Sequence, residues 1–184
     1  YGDDDKPMIF TELGWCVNEY ENYQREVTPE QQRDYIVREY LIAISQGIRE
    51  AYLYAVQDAG TNPGETEDNY GIIDYYGNPK PGYYGYYFLS AAMQNAVYLD
   101  TVDLQLPYYG LGFWDKSKNQ YVYALWSVDD QQRSITVQGA DQKIKALSMA
   151  GGYTSFFISA GEGETTLSGA PLLIYSDGPL QFQP

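Results

Sequence analysis

Carboxylates are the side chains in this sequence best suited to acid–base or nucleophilic chemistry. The 184 residues include 25 Asp and Glu, no His and a single Cys, Cys16. Without His, the chain can form no Ser-His-Asp triad, no Cys-His pair and no His-ligated zinc site. With one Cys it can form neither an intrachain disulfide nor a cysteine-rich metal site. Any chemistry here would therefore use Asp or Glu, Tyr or Lys, or a metal bound through oxygen.

Two of these carboxylates lie near the ends of predicted strands. Residues 7–15 contain a continuous apolar run, typical of a parallel strand covered on both faces, and Glu12 follows that run. Residues 49–57 predict a second buried strand, which ends at Asp58.

The segments after these strands favour helices. Thr28-Pro29-Glu30-Gln31 has the capping Thr, the early Pro and the Gln of a capping box, which predicts a helix over residues 28–46. Pro81 opens a second apolar helical pattern that extends to about Ala96. Strand and helix therefore alternate over residues 7–96, which is typical of parallel α/β units.

The pattern changes after Val97 to short strands separated by turn residues. In residues 133–138, Ile135 and Val137 alternate with polar side chains, as in a half-buried antiparallel strand. This spacing favours a β-sandwich, with the domain boundary near residue 97. The predicted strands are residues 98–106, 109–114, 121–128, 133–138, 143–149, 153–159, 164–167 and 172–175.

The acidic balance restricts the class of partner. The formal net charge is −14 and the sequence pI is about 4.1. Phosphate backbones and anionic membranes would be repelled, so we expect neither nucleic acid nor membrane as a partner. No apolar stretch reaches the roughly 18 residues that a membrane span needs. Neutral substrates such as sugars are compatible with this charge.

The first half of the chain resembles the end of a clan A glycoside hydrolase barrel. Residues 6–15, with Thr11-Glu12-Leu13-Gly14, are similar to the seventh barrel strand of that clan. The helix of residues 28–46 and the strand of residues 49–58 resemble the next two elements. Residues 70–81, which include Tyr70-Gly71-Ile72-Ile73-Asp74 and Asn78-Pro79-Lys80-Pro81, resemble the segment that leads into the last barrel helix.

The second half resembles the β-domain that often follows such barrels. The similar segments are Tyr123-Ala124-Leu125-Trp126-Ser127 and Ser168-Gly169-Ala170-Pro171-Leu172-Leu173-Ile174. The resemblance implies an α/β plus all-β fold. Residues 1–97 would form the last two βα units of a (β/α)8 barrel, and residues 98–184 an antiparallel β-sandwich.

The same resemblance implies the chemistry of a retaining glycosidase acting on a poly- or oligosaccharide, secreted and without metal or cofactor. Glu12 would be the nucleophile, and the acid/base would lie on a fourth strand that is missing here. Trp15 could offer an aromatic face to a sugar ring. Tyr54 or Gln57 would stand where many relatives carry a subsite Trp, and Asp58 would contact substrate or brace a loop.

Two βα units cannot close a barrel, and they leave a parallel edge and apolar helix faces exposed. We therefore expect a missing N-terminal barrel region, or another chain, to cover that edge. The opening Tyr1-Gly2-Asp3-Asp4-Asp5-Lys6 favours a mid-protein start, and its Asp run is either an exposed acidic loop or a calcium site.

Two other classes of function stay open. A hydrolase remnant could serve as a non-catalytic extracellular scaffold or filament subunit. Alternatively, the sandwich could be a carbohydrate-binding module that stacks sugar on Trp114, Trp126 and surface Tyr residues, although Trp126 lies mid-strand and favours the core.

Overall fold

The computed structural model describes residues 6–17 and 27–184. The chain divides into two compact units, residues 1–86 and residues 87–184, which are described separately below. The domain boundary near residue 97 stays a prediction. The Asp run at residues 3–5 lies outside the described residues.

The first unit begins with a strand–helix–strand arrangement. Strand β1 spans Ile9–Leu13, helix α1 spans Pro29–Ser45 and strand β2 spans Glu50–Leu53. The two strands pair in parallel. A short 3-10 helix, Thr66–Asn69, and then helix α2, Pro81–Met93, follow along the chain. The strands are shorter than the predicted segments, but their order and direction agree with the predicted alternation.

The start of α1 confirms the capping box read from the sequence. The Thr28 hydroxyl accepts a hydrogen bond from the Gln31 backbone N–H at 3.1 Å, and the Gln31 side-chain oxygen accepts one from the Thr28 N–H at 3.0 Å. Each residue thus satisfies a backbone donor that the first helical turn leaves unpaired. The apolar face of α1 is buried through Ile36, Val37 and Leu41.

The two-stranded sheet is less covered than its apolar sequence predicts. Met8 is 61% exposed and Ile9 is 45% exposed, whereas the apolar run predicted a strand buried on both faces. Tyr52 and Val56 are also more than half exposed, at 54% and 59%. A sheet of two strands is too small to bury both of its faces, so the described residues leave part of it open.

The second unit contains nine strands among the described residues. They are β3 Ala96–Thr101, β4 Tyr108–Asp115, β5 Gln120–Ser127, β6 Arg133–Gln138, β7 Gln142–Ser148, β8 Gly152–Ile158, β9 Glu162–Leu167, β10 Leu172–Ser176 and β11 Gln181–Gln183. The first eight correspond to the predicted strands. The sequence prediction missed β11, because its three residues are too short a run to show an alternating pattern. Helix α2 ends at Met93 rather than near Ala96, because Ala96 already pairs in β3.

These strands form two sheets around one core. The larger sheet has the order β3-β4-β5-β10-β7-β8 with antiparallel neighbours, and the smaller has the order β11-β6-β9. Leu125 and Ile174 of the larger sheet join Ile135 and Val137 of the smaller sheet in a common buried cluster. The predicted inward direction of Ile135 and Val137 is therefore confirmed. Of the helices that the structure describes, none is long and apolar enough to cross a membrane.

Candidate active site

Glu12 lies at the carboxyl-terminal end of β1, one residue before the strand ends, and its side chain is exposed. It lines an open pocket of about 290 Å³ together with Gly14, Tyr54, Glu67 and Tyr70. Because β1 and β2 are parallel, their carboxyl ends meet at the same edge of the sheet. The fold therefore brings Glu12 and Tyr54, both predicted as site residues, into one pocket.

The close approach of the two strand ends requires a glycine after β1. The Tyr54 N–H donates to the Leu13 carbonyl at 2.7 Å. A Cβ atom at Gly14 would lie 1.5 Å from the Tyr54 carbonyl oxygen, so no other residue fits without moving the backbone. The glycine of Thr-Glu-Leu-Gly is thus a packing requirement of the pocket. The Tyr54–Ala55 peptide beside it is cis.

Tyr54 is held in the pocket by a carboxylate that the sequence analysis did not single out. Its hydroxyl donates to Glu67 Oε2 at 2.7 Å, and its ring packs edge-on against Tyr70 with 5.2 Å between centroids. This hydrogen bond raises the pKa of Tyr54, and the negative charges of Glu67 and Glu12 act in the same direction. Glu67 lies in a polar segment without periodicity, so nothing in the sequence distinguished it from the other acidic residues.

Asp58 braces the segment that carries Tyr70. The Lys80 ammonium lies 3.0 Å from both carboxylate oxygens of Asp58, and the Gly71 N–H donates to the same carboxylate at 2.7 Å. The two charged side chains are only 9% and 15% exposed. Of the two roles predicted for Asp58, substrate contact or loop bracing, this geometry favours bracing.

Trp15 and Gln57 do not line the pocket. The Trp15 ring packs edge-on against Tyr35 of α1, with 4.9 Å between centroids. Its indole lies beside the Glu39 carboxyl, whose pKa is raised by burial and partly lowered again by that indole. The Gln57 amide donates to the Tyr75 carbonyl at 3.1 Å. Packing against the helix is therefore the observed environment of Trp15, and the roles of both residues toward substrate stay predictions.

Gln32 of α1 joins the two segments that border the pocket. It is fully buried, and its Nε2 donates to the carbonyls of Trp15 at 2.7 Å, Gly71 at 3.2 Å and Tyr70 at 3.3 Å. Sequence reasoning missed Gln32, because a Gln in the first turn of a helix is ordinarily solvated.

Cys16 adds a second link between these segments, since its thiol donates to the Thr66 carbonyl at 3.3 Å. Burial raises the pKa of this thiol, and the Lys80 charge opposes that effect. Among residues 6–17 and 27–184, no group of three or more His, Cys, Asp or Glu side chains is arranged to hold a metal ion.

Comparison with known proteins places this fold among glycoside hydrolases. The chain is similar to a solved family 39 glycoside hydrolase from the gut symbiont Bacteroides cellulosilyticus WH2, with a TM-score of 0.75 and 21% identity. The match covers 89% of this chain and 32% of that enzyme, so the chain spans about a third of its length. The predicted resemblance is confirmed at the level of fold.

Two alpha-amylases are more distant structural neighbours. An Anoxybacillus enzyme matches with a TM-score of 0.49 and 9% identity, over 79% of this chain and 33% of that one. A noncanonic maltogenic alpha-amylase from Thermotoga neapolitana matches with a TM-score of 0.44 and 9% identity, over 78% of this chain and 36% of that one. Neither a protein-family model nor a curated protein sequence matches the chain.

Proposed function

We propose that this chain is the C-terminal part of a retaining glycoside hydrolase in which Glu12 is the nucleophile. The observation that carries the proposal is Glu12 at the carboxyl end of a parallel strand, in an open pocket with Tyr54. Active sites of (β/α)8 barrels lie at that end of the strands. In this proposal β1 and β2 are the seventh and eighth barrel strands, and the nine-stranded unit is the sandwich that follows.

The proposed reaction has two steps. In the first, a Glu12 oxygen forms a bond to the anomeric carbon while the bond to the leaving-group oxygen breaks, and a second carboxyl group protonates that oxygen. In the second, the same group takes a proton from water, which attacks the anomeric carbon and releases Glu12. Retaining enzymes place these groups about 5–5.5 Å apart. The proposal assigns the acid/base to a preceding barrel region.

Tyr54 is the proposed substrate contact with the strongest geometric support. Its ring offers an apolar face beside Glu12, and the hydrogen bond to Glu67 fixes the direction of its hydroxyl. Glu67 in turn presents carboxylate oxygens that can accept from sugar hydroxyls. The proposed substrate is a neutral poly- or oligosaccharide, in keeping with the acidic chain. The proposed site of action is extracellular, as the resemblance to secreted hydrolases implies.

Exposed apolar residues in and next to the β1–β2 sheet support the need for a covering partner. Met8, Ile9, Tyr52 and Val56 are each at least 45% exposed. In the hydrolase proposal, preceding barrel strands cover these residues. The same exposure favours a second candidate, a non-catalytic scaffold subunit whose copies bind one another through these residues. Light scattering of the 184-residue chain tests the second candidate: the scaffold assembles through these residues, and a stable monomer would count against it.

The central experiment replaces the proposed nucleophile in that longer polypeptide. Glu12→Gln keeps the size of the side chain but removes its charge, so we expect hydrolysis of an aryl glycoside substrate to fall by about a thousandfold or more. Glu50→Gln is the matched control, because Glu50 is an exposed carboxylate on β2 that bonds Tyr52 outside the pocket. Its activity should stay within about twofold of the unchanged protein.

A rescue experiment separates a nucleophile from a residue that merely shapes the pocket. Glu12→Gly opens space for azide, which should restore turnover and yield a glycosyl azide of inverted anomeric configuration. Unchanged hydrolysis in Glu12→Gln would overturn the assignment of Glu12. A product with inverted configuration from the unchanged enzyme would overturn the retaining mechanism.

A further inference from the structure

A second and larger cavity lies within the sandwich-like unit, remote in sequence from Glu12. It has a volume of about 460 Å³, and its lining comes from residues 99–103, from β4 and β5, and from residues 180–183. Strand β3 is an edge of the six-stranded sheet, and β11 is an edge of the three-stranded sheet. Because three strands cannot cover six, the inner face of the larger sheet stays open between these two edges. We call this cavity the edge groove.

A missing side chain gives the edge groove its depth. Asp100 of β3 pairs with Gly112 of β4, which pairs with Tyr123 of β5, so the three residues form one row across the sheet. A Cβ at Gly112 would meet only ordinary contacts, at 3.4 Å from the Asp100 carbonyl and 3.8 Å from the Tyr123 ring. The position between the Asp100 backbone and the Tyr123 ring therefore holds no side chain.

The aromatic floor of the groove is held rigidly. The Tyr123 hydroxyl accepts a hydrogen bond from the Leu180 N–H at 3.0 Å, and its ring packs edge-on against Phe182 of β11 at 5.0 Å. Tyr121 lies parallel to Tyr123, with an interplanar angle of 9° and 6.0 Å between centroids. Tyr121 is half-buried and lines the groove, and its ring also contacts Trp114 edge-on, with 4.9 Å between centroids. A ligand would find this surface already formed.

Acceptors and amides surround this floor. The groove is lined by Asp100 and Asp103, from β3 and the segment after it, and by Gln181 and Gln183 of β11, and all four are exposed. The Gln183 amide also donates to Gln138 Oε1 at 3.3 Å. None of the described residues that line the groove is basic. The groove would repel an anion but can accept hydrogen bonds from hydroxyl groups.

We infer that the edge groove binds a neutral saccharide, separately from the Glu12 pocket. The apolar face of a sugar ring would lie on Tyr121, and its hydroxyls would donate to Asp100 and Asp103. The volume falls within the range of about 300–1,000 Å³ that is usual for ligand pockets, which suits a disaccharide better than a small ammonium ion. The inference depends on the chemistry of the groove alone and not on whether Glu12 is a nucleophile.

The test is a residue-resolved NMR titration of the 184-residue chain with cellobiose, xylobiose and maltose, and with spermidine as a cationic probe. We expect at least one disaccharide to shift the amides of Thr101, Gly112 and Gln181. Gly112→Val fills the open position with a residue that favours strands, so the affinity should fall at least about tenfold. Gly151→Val is the matched control, because no atom lies within 4 Å of a Cβ at Gly151.

A second variant tests the inference even if Gly112→Val does not fold. Asp103→Asn removes an acceptor charge at an exposed position, so it should weaken the same titration severalfold without unfolding the chain. The inference is overturned if no disaccharide shifts the groove amides, if both variants bind as before, or if spermidine alone binds. Glu12→Gln should leave the groove shifts unchanged. If Glu12→Gln abolished hydrolysis but left groove binding intact, that result would bear on the role of Glu12 and not on the groove.

Discussion

The Tyr54 hydroxyl donates a 2.7 Å hydrogen bond to the Glu67 carboxylate, inside the pocket that also contains Glu12. The bond links the segment after β2 to the 3-10 helix, so the position of the aromatic ring depends on a residue thirteen positions away along the chain. The bond raises the pKa of the phenol, and the negative charges of Glu67 and Glu12 act in the same direction. The charges of Glu12 and Glu67 therefore both act on the Tyr54 phenol, and each effect can be tested by a separate substitution.

The first prediction concerns this coupling. Glu67→Gln removes the charged acceptor that raises the pKa of Tyr54, so the Tyr54 pKa should move down toward its ordinary value. Titration of ¹³Cζ-labelled tyrosine by NMR reports it directly. Glu50→Gln is the control, because Glu50 acts in the same way on Tyr52 and should leave Tyr54 unchanged. An identical Tyr54 titration in Glu67→Gln would show that the two groups do not interact in solution.

The second prediction concerns the glycine after β1. Gly14→Ala places a methyl group 1.5 Å from the Tyr54 carbonyl oxygen, which forces the two strand ends apart. We expect the free energy of unfolding to fall by about 3 kcal/mol or more in a urea titration. Gly151→Ala, where the added methyl group meets nothing within 4 Å, should change it by about 0.5 kcal/mol at most. Equal stability of the two variants would contradict the observed approach of Gly14 to Tyr54.

Local signals in the sequence were sufficient for most of the elements. The Thr28 capping box depends on residues three positions apart, and the alternation around Ile135 depends on side chains two positions apart. Both patterns follow from local backbone geometry, so they can be recognised without knowledge of the fold. Strand β11 has only three residues, which are too few to show an alternating pattern, so it leaves no local signal.

The residues of the candidate site also fall into two groups, those with a local signal in the sequence and those that depend on tertiary contacts. Glu12 lies at the end of one strand and Tyr54 directly follows another, both strands have apolar runs visible in the sequence, and the structure brings the two residues into one pocket. Gln32 and Glu67 act through tertiary contacts. Gln32 binds Trp15, which is 17 positions away along the chain, and Glu67 binds Tyr54, which is 13 positions away, so their residue types alone did not indicate these roles. The exposure of Met8 was not predicted, because an apolar run does not specify which chain covers it.

The third prediction concerns the ion pair that braces the pocket segment. Lys80→Met leaves the Asp58 carboxylate buried without its cation, and breaking such a pair costs about 3–5 kcal/mol. Urea denaturation should therefore show a large loss of stability. Arg49→Met is the control, because Arg49 and Glu50 are 69% and 48% exposed and 4.0 Å apart, and such pairs contribute about 0–1 kcal/mol. A loss no larger than that of the control would show that Asp58 is hydrated in solution.

The fourth prediction concerns the pH dependence of the sandwich-like unit. Burial tends to raise the pKa of Asp115, but hydrogen bonds from Ser117 and Lys118 outweigh burial and hold it at about 2. In the unfolded chain the pKa of an Asp is about 3.9, so at a pH between these two pKa values the unfolded state binds more protons than the folded state. This stabilisation is complete above about pH 5 and is lost progressively as the pH falls through about 2 toward about 1. Asp115→Asn should therefore flatten the dependence of the free energy of unfolding on pH in that window, measured by urea titration at several pH values.

The exposed Asp103→Asn is the control and should keep the slope. An unchanged slope in Asp115→Asn would mean that another carboxylate causes the acid lability.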